Sequence, residues 1–313
     1  MRSKLRNLKQ LTKVAAPAWV EIEGLLAAAT VGHTVIPADL ALRTQAILDL
    51  QVTAGSFLGG IPWNCGAILI DHNWIRVLGA GVGSLPAAHL AVFRDEASNR
   101  DFEGVLVAVD VLGGRFVIHG NGLDLPQGEV VYFAVDTLDW TPMGVGHGDL
   151  VRYFLTRDMS DLYAGLRWEN WERDTDPLLP DDALAAYPPP WSEEGAIARP
   201  VKRWSVPISE VLEFQRSAAE QFSYSELARA GDGQPGETMT DKSTKRSGQP
   251  NPVWRGNSLP QIVVTAVSGL VVLIGGVYLF TKGPVFASLL IAFGLAAITA
   301  AAIGYRKLRK SRH

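Results

Sequence analysis

A chain of 313 residues with 47% apolar and 19% charged side chains is long enough for one or two domains, each with a core of its own. Its net charge of −3 conceals an asymmetry, because residues 1–240 carry a net −12 and residues 241–313 a net +9. A body that acidic is unsuited to neutralising nucleic-acid phosphates, and the single cysteine, Cys65, excludes an intrachain disulfide framework and fits a reducing compartment.

The N-terminus is basic, with Arg2, Lys4, Arg6, Lys9 and Lys13. Pro17, Glu21 and Glu23 interrupt the apolar stretch that follows, so it does not have the form of a secretory signal. Trp19, Ile22, Leu25 and Leu26 recur at helical spacing after Pro17 and predict a first helix. A second is expected from Pro37 to Leu50, with Asp39 in its first turn.

The period then changes. Residues 66–70 read as a buried strand, Asp71-His72-Asn73 as a turn and 74–78 as a second strand, together a hairpin. Further strands are expected at 105–109, 115–119 and 130–135. The short Gly-, Asp- and Asn-rich connections between them suit antiparallel neighbours, since parallel crossovers need a dozen or more residues. Helices return at 149–155 and 160–166, Pro188-Pro189-Pro190 breaks the chain, and a last helix runs from Ile208 to Ala230. The soluble part, residues 1–230, is therefore expected to be α+β, an antiparallel sheet flanked by helices.

Residues 231–258 are rich in Gly, Pro, Ser, Thr and charge and read as a disordered basic linker. Two uncharged runs follow, 259–280 and 284–305, separated only by Thr281, Lys282 and Gly283. Each matches the roughly 20 apolar residues that cross a bilayer, so the pair is expected to be a transmembrane helical hairpin. Lys242, Lys245, Arg246 and Arg255 precede it, and a basic tail at 306–313 follows. The positive-inside rule then puts the domain and the C-terminus in the cytoplasm, with the hairpin in the inner, plasma membrane. Neither run contains Asp, Glu, Lys, Arg or His, which favours an anchor over a transporter.

Four segments occur in order: GAILIDHNWIRVLGAG (66–81), DVLGGRFVIHGNG (110–122), VYFAVDTLDW (131–140) and LYAGLRWENW (162–171). Over roughly residues 14–215 the chain resembles the bacterial DUF2625 family, a domain of unknown function. The glycine-containing hairpin, VYFAVDTLDW and the aromatic-bearing segment are also similar to the SMI1/KNR4 (SUKH) superfamily. Many bacterial members of that superfamily are immunity proteins that bind toxins, so the similarity implies a protein partner such as a toxin. Neither resemblance supplies a catalytic residue.

The candidate chemistry is sparse. Gly79-Ala-Gly-Val-Gly-Ser84 lacks the GxGxxG spacing and reads as a glycine-rich turn. Cys65 and His72 stand at opposite ends of a strand, roughly 20 Å apart, which excludes a thiol dyad. The histidines show none of the paired spacings of a zinc site, and no metal or other cofactor is expected. Tyr163, Arg167, Trp168 and Trp171 form an aromatic and cationic cluster that serves either core packing or a recognition surface. An alternative enzyme site would be built from the turn residues Asp71, His72, Asp110 and His119, and a membrane sensor or assembly factor would share the topology. The function expected is a membrane-tethered, non-enzymatic interaction module that does not bind nucleic acid.

Overall fold

The computed structural model describes residues 5–95, 100–192, 195 and 201–231, with side chains described as far as Ala219. The expected linker (231–258) apart from its first residue, both expected membrane spans (259–280 and 284–305) and the basic tail (306–313) lie outside the described residues. Among the described residues, no helix is long and apolar enough to cross a membrane.

The chain opens with α1 (Leu8–Thr12), closed at its start by a capping box between Asn7 and Gln10. Helix α2 (Ala18–Ala27) follows where Trp19, Ile22, Leu25 and Leu26 predict it, and its Ile22 and Leu26 are buried. After β1 (His33–Ile36) comes α3 (Leu40–Leu50), on which Asp39 is the N-cap, its side chain accepting from Leu42 N–H at 2.8 Å. Helix α4 (Phe57–Asn64) is capped by Ser56. Nothing in the local pattern marks this helix, because Gly59, Gly60 and Pro62 suggest a loop. Tertiary packing overrides that preference, since a Cβ on Gly59 would run into the Thr53 backbone.

Strands β2 (Ala67–Ile70) and β3 (Ile75–Leu78) form the expected hairpin and are buried throughout. They lead into β4 (His89–Asp95), β5 (Arg100–Asp110), β6 (Arg115–Asn121), β7 (Glu129–Ala134) and β8 (Asp139–Gly146). Among the described residues these strands and β1 make one antiparallel sheet, ordered β1-β2-β3-β5-β6-β7-β8. The long β5 pairs with β3 at its end and with β4 along the rest of the same edge. Helix α5 (His147–Thr156) follows, and then a run of turns where a helix at 160–166 was expected. Gly165, at φ +82°, helps to explain the difference, because a residue in that conformation cannot continue a right-handed helix. After α6 (Trp171–Thr175), β9 (Asp182–Tyr187) and β10 (Lys202–Pro207) pair as a separate ribbon, and α7 (Ile208–Gly231) ends the described chain.

The sheet has two faces of different character. One carries Ile68, Val77, Ala108, Phe116, Val130 and Tyr132 into the main core, packed by α2, Ile61 of α4 and the Leu150/Val151/Phe154/Leu155 stripe of α5. The register places Leu69, Arg76, Val109, Arg115, Phe133 and Trp140 in one row on the opposite face. The β9–β10 ribbon docks at the edge of this second face, where Leu184 N–H donates to the Val111 carbonyl at 2.8 Å. Helix α7 joins it there through Gln215, whose Nε2 donates to the Leu112 carbonyl at 2.7 Å.

His147 begins α5 with both ring nitrogens buried and unpartnered, and burial pushes its pKa down to about 4 from 6.5. The folded state therefore takes up its proton at lower pH than the unfolded chain does. Stability is full above pH 6.5, declines as pH falls from 6.5 towards 4, and has no further dependence on this group below that. The loss should reach about 3 kcal/mol. Urea unfolding of the His147→Leu variant at pH 7 and pH 4.5 should show a markedly smaller difference than the wild type, and an equal difference would rule out this origin.

Candidate functional site

The β2–β3 connection runs through three consecutive non-glycine residues in the left-handed region. Asp71, His72 and Asn73 all have positive φ, 56°, 54° and 61°. Left-handed geometry costs an L-residue roughly 1–2 kcal/mol, less for Asp and Asn, whose short polar side chains bond locally. Three such residues in succession persist only if the surroundings hold them. The holding segment is 167–178. Asp71 forms a short ion pair with Arg167, His72 Nδ1 lies 2.9 Å from Asp176 Oδ1, and Asn73 Nδ2 donates to the Asp176 carbonyl at 3.0 Å.

Arg167 does more than pair. Its guanidinium lies 3.9 Å from the Trp171 ring centre, 4.8 Å from Trp74 and 5.2 Å from Tyr163. Trp74 is fully buried and sits at the centre of the cluster, edge-on to Tyr163 and Trp171 at 5.2 and 5.0 Å. Trp168 stands 5.8 Å from Trp74, and Arg203 of β10 covers it at 3.7 Å. The Arg167 and Asp71 side chains retain 12% and 17% exposure, so the pair is largely desolvated and its attraction is only weakly screened.

Of the four residues expected to act together, Tyr163 is buried and forms the floor. Arg167, Trp168 and Trp171 are half-buried above it, and His72 is the exposed neighbour, edge-on to Trp171 at 5.7 Å. The partners Trp74, Asp71 and Arg203 were not foreseen. They come from distant parts of the chain, and only the hairpin register and the β10 docking bring them here.

The turn residues of the alternative site have separate partners. Asp110 is fully buried at the end of β5 and accepts four hydrogen bonds. Leu112 and Gly114 N–H donate to Oδ1 at 2.9 and 2.8 Å, and the Tyr132 and Tyr163 hydroxyls donate to Oδ2 at 2.8 and 3.3 Å. Burial raises its pKa, and the four donors oppose that shift. Gly114 is required because a Cβ there would collide with the Asp110 carboxylate. His119 lies on the other sheet face, beside Phe102 at 6.2 Å, with Nε2 accepting from Leu123 N–H at 3.1 Å. Among the described residues, no hydrogen bond or ion pair joins Asp71 or His72 to Asp110 or His119, and no cluster of His, Cys, Asp and Glu is placed to hold a metal ion. Cys65 caps the end of α4 in a buried position, and burial pushes its thiol up to about 12. The Gly79–Ser84 run is a turn, clamped where Ser84 N–H donates to Asp181 Oδ2 at 2.9 Å.

Residues 8–211 match the family described as a protein of unknown function, DUF2625. The chain belongs to that family. The protein YbfG of Escherichia coli K12, described as uncharacterized, is 32% identical over 226 residues, which are 70% of this chain and the whole of YbfG. An uncharacterized protein of Haemophilus influenzae is 28% identical over 177 residues, 56% of this chain and 78% of its own. No solved structure matches the chain significantly.

Removing the Arg167 side chain leaves Asp71 largely desolvated without its counter-ion. Arg167→Met should cost about 3 kcal/mol in urea unfolding. Arg167→Lys should recover only part of that, because an ammonium keeps the charge but loses the flat face stacked on Trp171. Relief of the turn works in the opposite direction. His72→Gly removes a left-handed penalty together with an exposed contact to Asp176, and should raise stability by about 1 kcal/mol in the same assay.

Proposed function

We propose that this protein is a membrane-tethered, non-enzymatic interaction module whose DUF2625 domain presents a binding surface on the cytoplasmic side of the plasma membrane. The observation that carries the tether is in the sequence. Two uncharged 22-residue runs, 259–280 and 284–305, follow the family domain and are joined by three residues. YbfG is matched over its whole length by 70% of this chain, so the remaining part has no counterpart in that relative. This supports an element added to the family domain. The excess of Lys and Arg on both flanks supports a hairpin with both ends inside.

The binding surface in this proposal is the outer part of the Trp74 cluster, Arg167, Trp168 and Trp171, with Tyr163 as its buried floor. Tryptophan, tyrosine and arginine carry most of the energy at protein interfaces, and here a charged turn holds them in place. Asp71, His72, Asp110 and His119 each support a turn or loop, which favours a contact surface over a reaction centre. The partner class that suits the SUKH similarity is a protein toxin, with this protein as the immunity factor that neutralises it.

Two measurements test the proposal. A reporter active only in the cytoplasm should be active when fused after His313, and a periplasmic reporter there should be silent. The reverse pattern would overturn the topology. For the partner, the full chain bearing Trp171→Ala should capture at least tenfold less of the protein retained by the wild type. Equal capture would remove Trp171 from the interface.

A further inference from the structure

The second face of the sheet holds an arginine in a setting unlike the others. Arg76, fully buried in β3, donates from Nη2 to the Asp182 carbonyl at 2.8 Å and has Asp110 and Asp182 near enough to favour its charge. Arg167 has Asp71. Arg115, two strands from Arg76 in the same cross-strand row, makes no hydrogen bond or ion pair with any described residue. Its Nε is buried and unpartnered, and burial alone shifts its pKa, down to about 10. Its guanidinium rests on the Phe133 ring at 4.0 Å and beside Trp140 at 5.6 Å. Arg115 is half-buried and only its Nε is a buried atom without a partner, so the rest of the guanidinium is within reach of solvent; a partly desolvated cation without a protein counter-ion is open to one from a ligand.

The adjoining surface has room for the rest of a ligand. Trp140 is also one wall of a pocket of about 280 Å³, whose other apolar walls are Leu123, Leu125, Val131 and Pro142. Val131 and Pro142 are cross-strand partners two residues along from Phe133 and Trp140, so the pocket opens roughly 7 Å along the strands from the Arg115 row. Trp140 itself is fixed: its Nε1 donates to the Arg94 carbonyl at 2.9 Å, and Phe93, Phe102 and Phe133 surround it within 5.5 Å. The pocket rim carries Asp95 and Asp124 against one cation, Arg100. The two acids offset Arg100 for an anionic group at the rim, which leaves Arg115 as the cation without an acidic neighbour.

We propose that Arg115, Phe133, Trp140 and this pocket form a binding site for a small monocarboxylate, with the carboxylate paired to Arg115 and an aromatic or aliphatic body laid across Trp140 into the pocket. A largely apolar cleft with a few placed polar groups is the usual form of a small-molecule site, and guanidinium is suited to bidentate pairing with a carboxylate. The site lies on the sheet face opposite Asp110 and Tyr132 and does not depend on the membrane tether or on the Trp171 surface.

Calorimetric titration of the full chain with 3-phenylpropionate and with its neutral amide tests the proposal. The acid should bind saturably and at least tenfold more tightly than the amide. Arg115→Met should abolish that preference while unfolding at the same or a higher temperature than the wild type, since it removes a charge without a partner. Leu123→Glu, which puts a charge in the pocket, should weaken the acid at least tenfold. Equal affinity for acid and amide would overturn the proposal. So would unchanged binding by Arg115→Met, or no saturable binding of either 3-phenylpropionate or octanoate to the wild type. A marked loss of thermal stability in Arg115→Met, with acid binding intact, would identify the arginine as a structural side chain only.

Discussion

The four hydrogen bonds converging on the Asp110 carboxylate tie the end of β5 to β7 and to the segment after α5, neither of which pairs with it. Two donors come from the β5–β6 turn, one from β7 and one from Tyr163 in the segment after α5. A buried carboxylate can accept but not donate, so all four donors must arrive together or the group is left expensively unsatisfied. This fixes the turn, the register of β6 against β7, and the position of Tyr163. Tyr163 then supports Trp74, Trp74 supports Arg167, and Arg167 closes the strained Asp71 turn. The candidate binding surface is the outer end of a chain of contacts that starts at a fully buried acid.

The parts of this arrangement that could be foreseen are those in which local pattern and environment agree. Residues 67–70 and 75–78 are buried on both faces, and continuous Ile/Leu/Val runs around an Asp-His-Asn turn can hardly be anything but a hairpin. The Trp19/Ile22/Leu26 stripe and the final helix were visible for the same reason. The elements that were missed are shaped by their neighbours. Strand β1 is four largely exposed residues, β8 contains Pro142 and two glycines, and β4 places Leu90 and Val92 at 67% and 66% exposure, so its alternation does not mark a buried face. Tyr163, Arg167, Trp168 and Trp171 stand close together in sequence and could be picked out. Trp74 and Arg203 could not, because nothing local connects them to that segment. A lone arginine on a strand such as Arg115 looks like any solvated charge until the register sets it among aromatics.

The two sheet faces handle charge differently. On the helix-covered face, Asp110 is surrounded by donors from rigid backbone and tyrosines, and no ligand could improve on that arrangement. On the other face, the row Leu69–Arg76–Val109–Arg115–Phe133–Trp140 carries two guanidinium groups with an aliphatic residue between them. Arg76 lies beneath the β9–β10 ribbon, whose Asp182 carbonyl meets it, so docking of that ribbon satisfies the buried cation. The ribbon leaves Arg115 without such a partner, and its half-buried guanidinium rests on the faces of Phe133 and Trp140. Aromatic faces offer a cation roughly 0.5–2 kcal/mol, and a half-buried guanidinium keeps part of its hydration as well. One half of this face therefore has its charge paired by the fold, and the other keeps a cation without a protein counter-ion beside a largely apolar pocket, where an anion bound from solution would meet it.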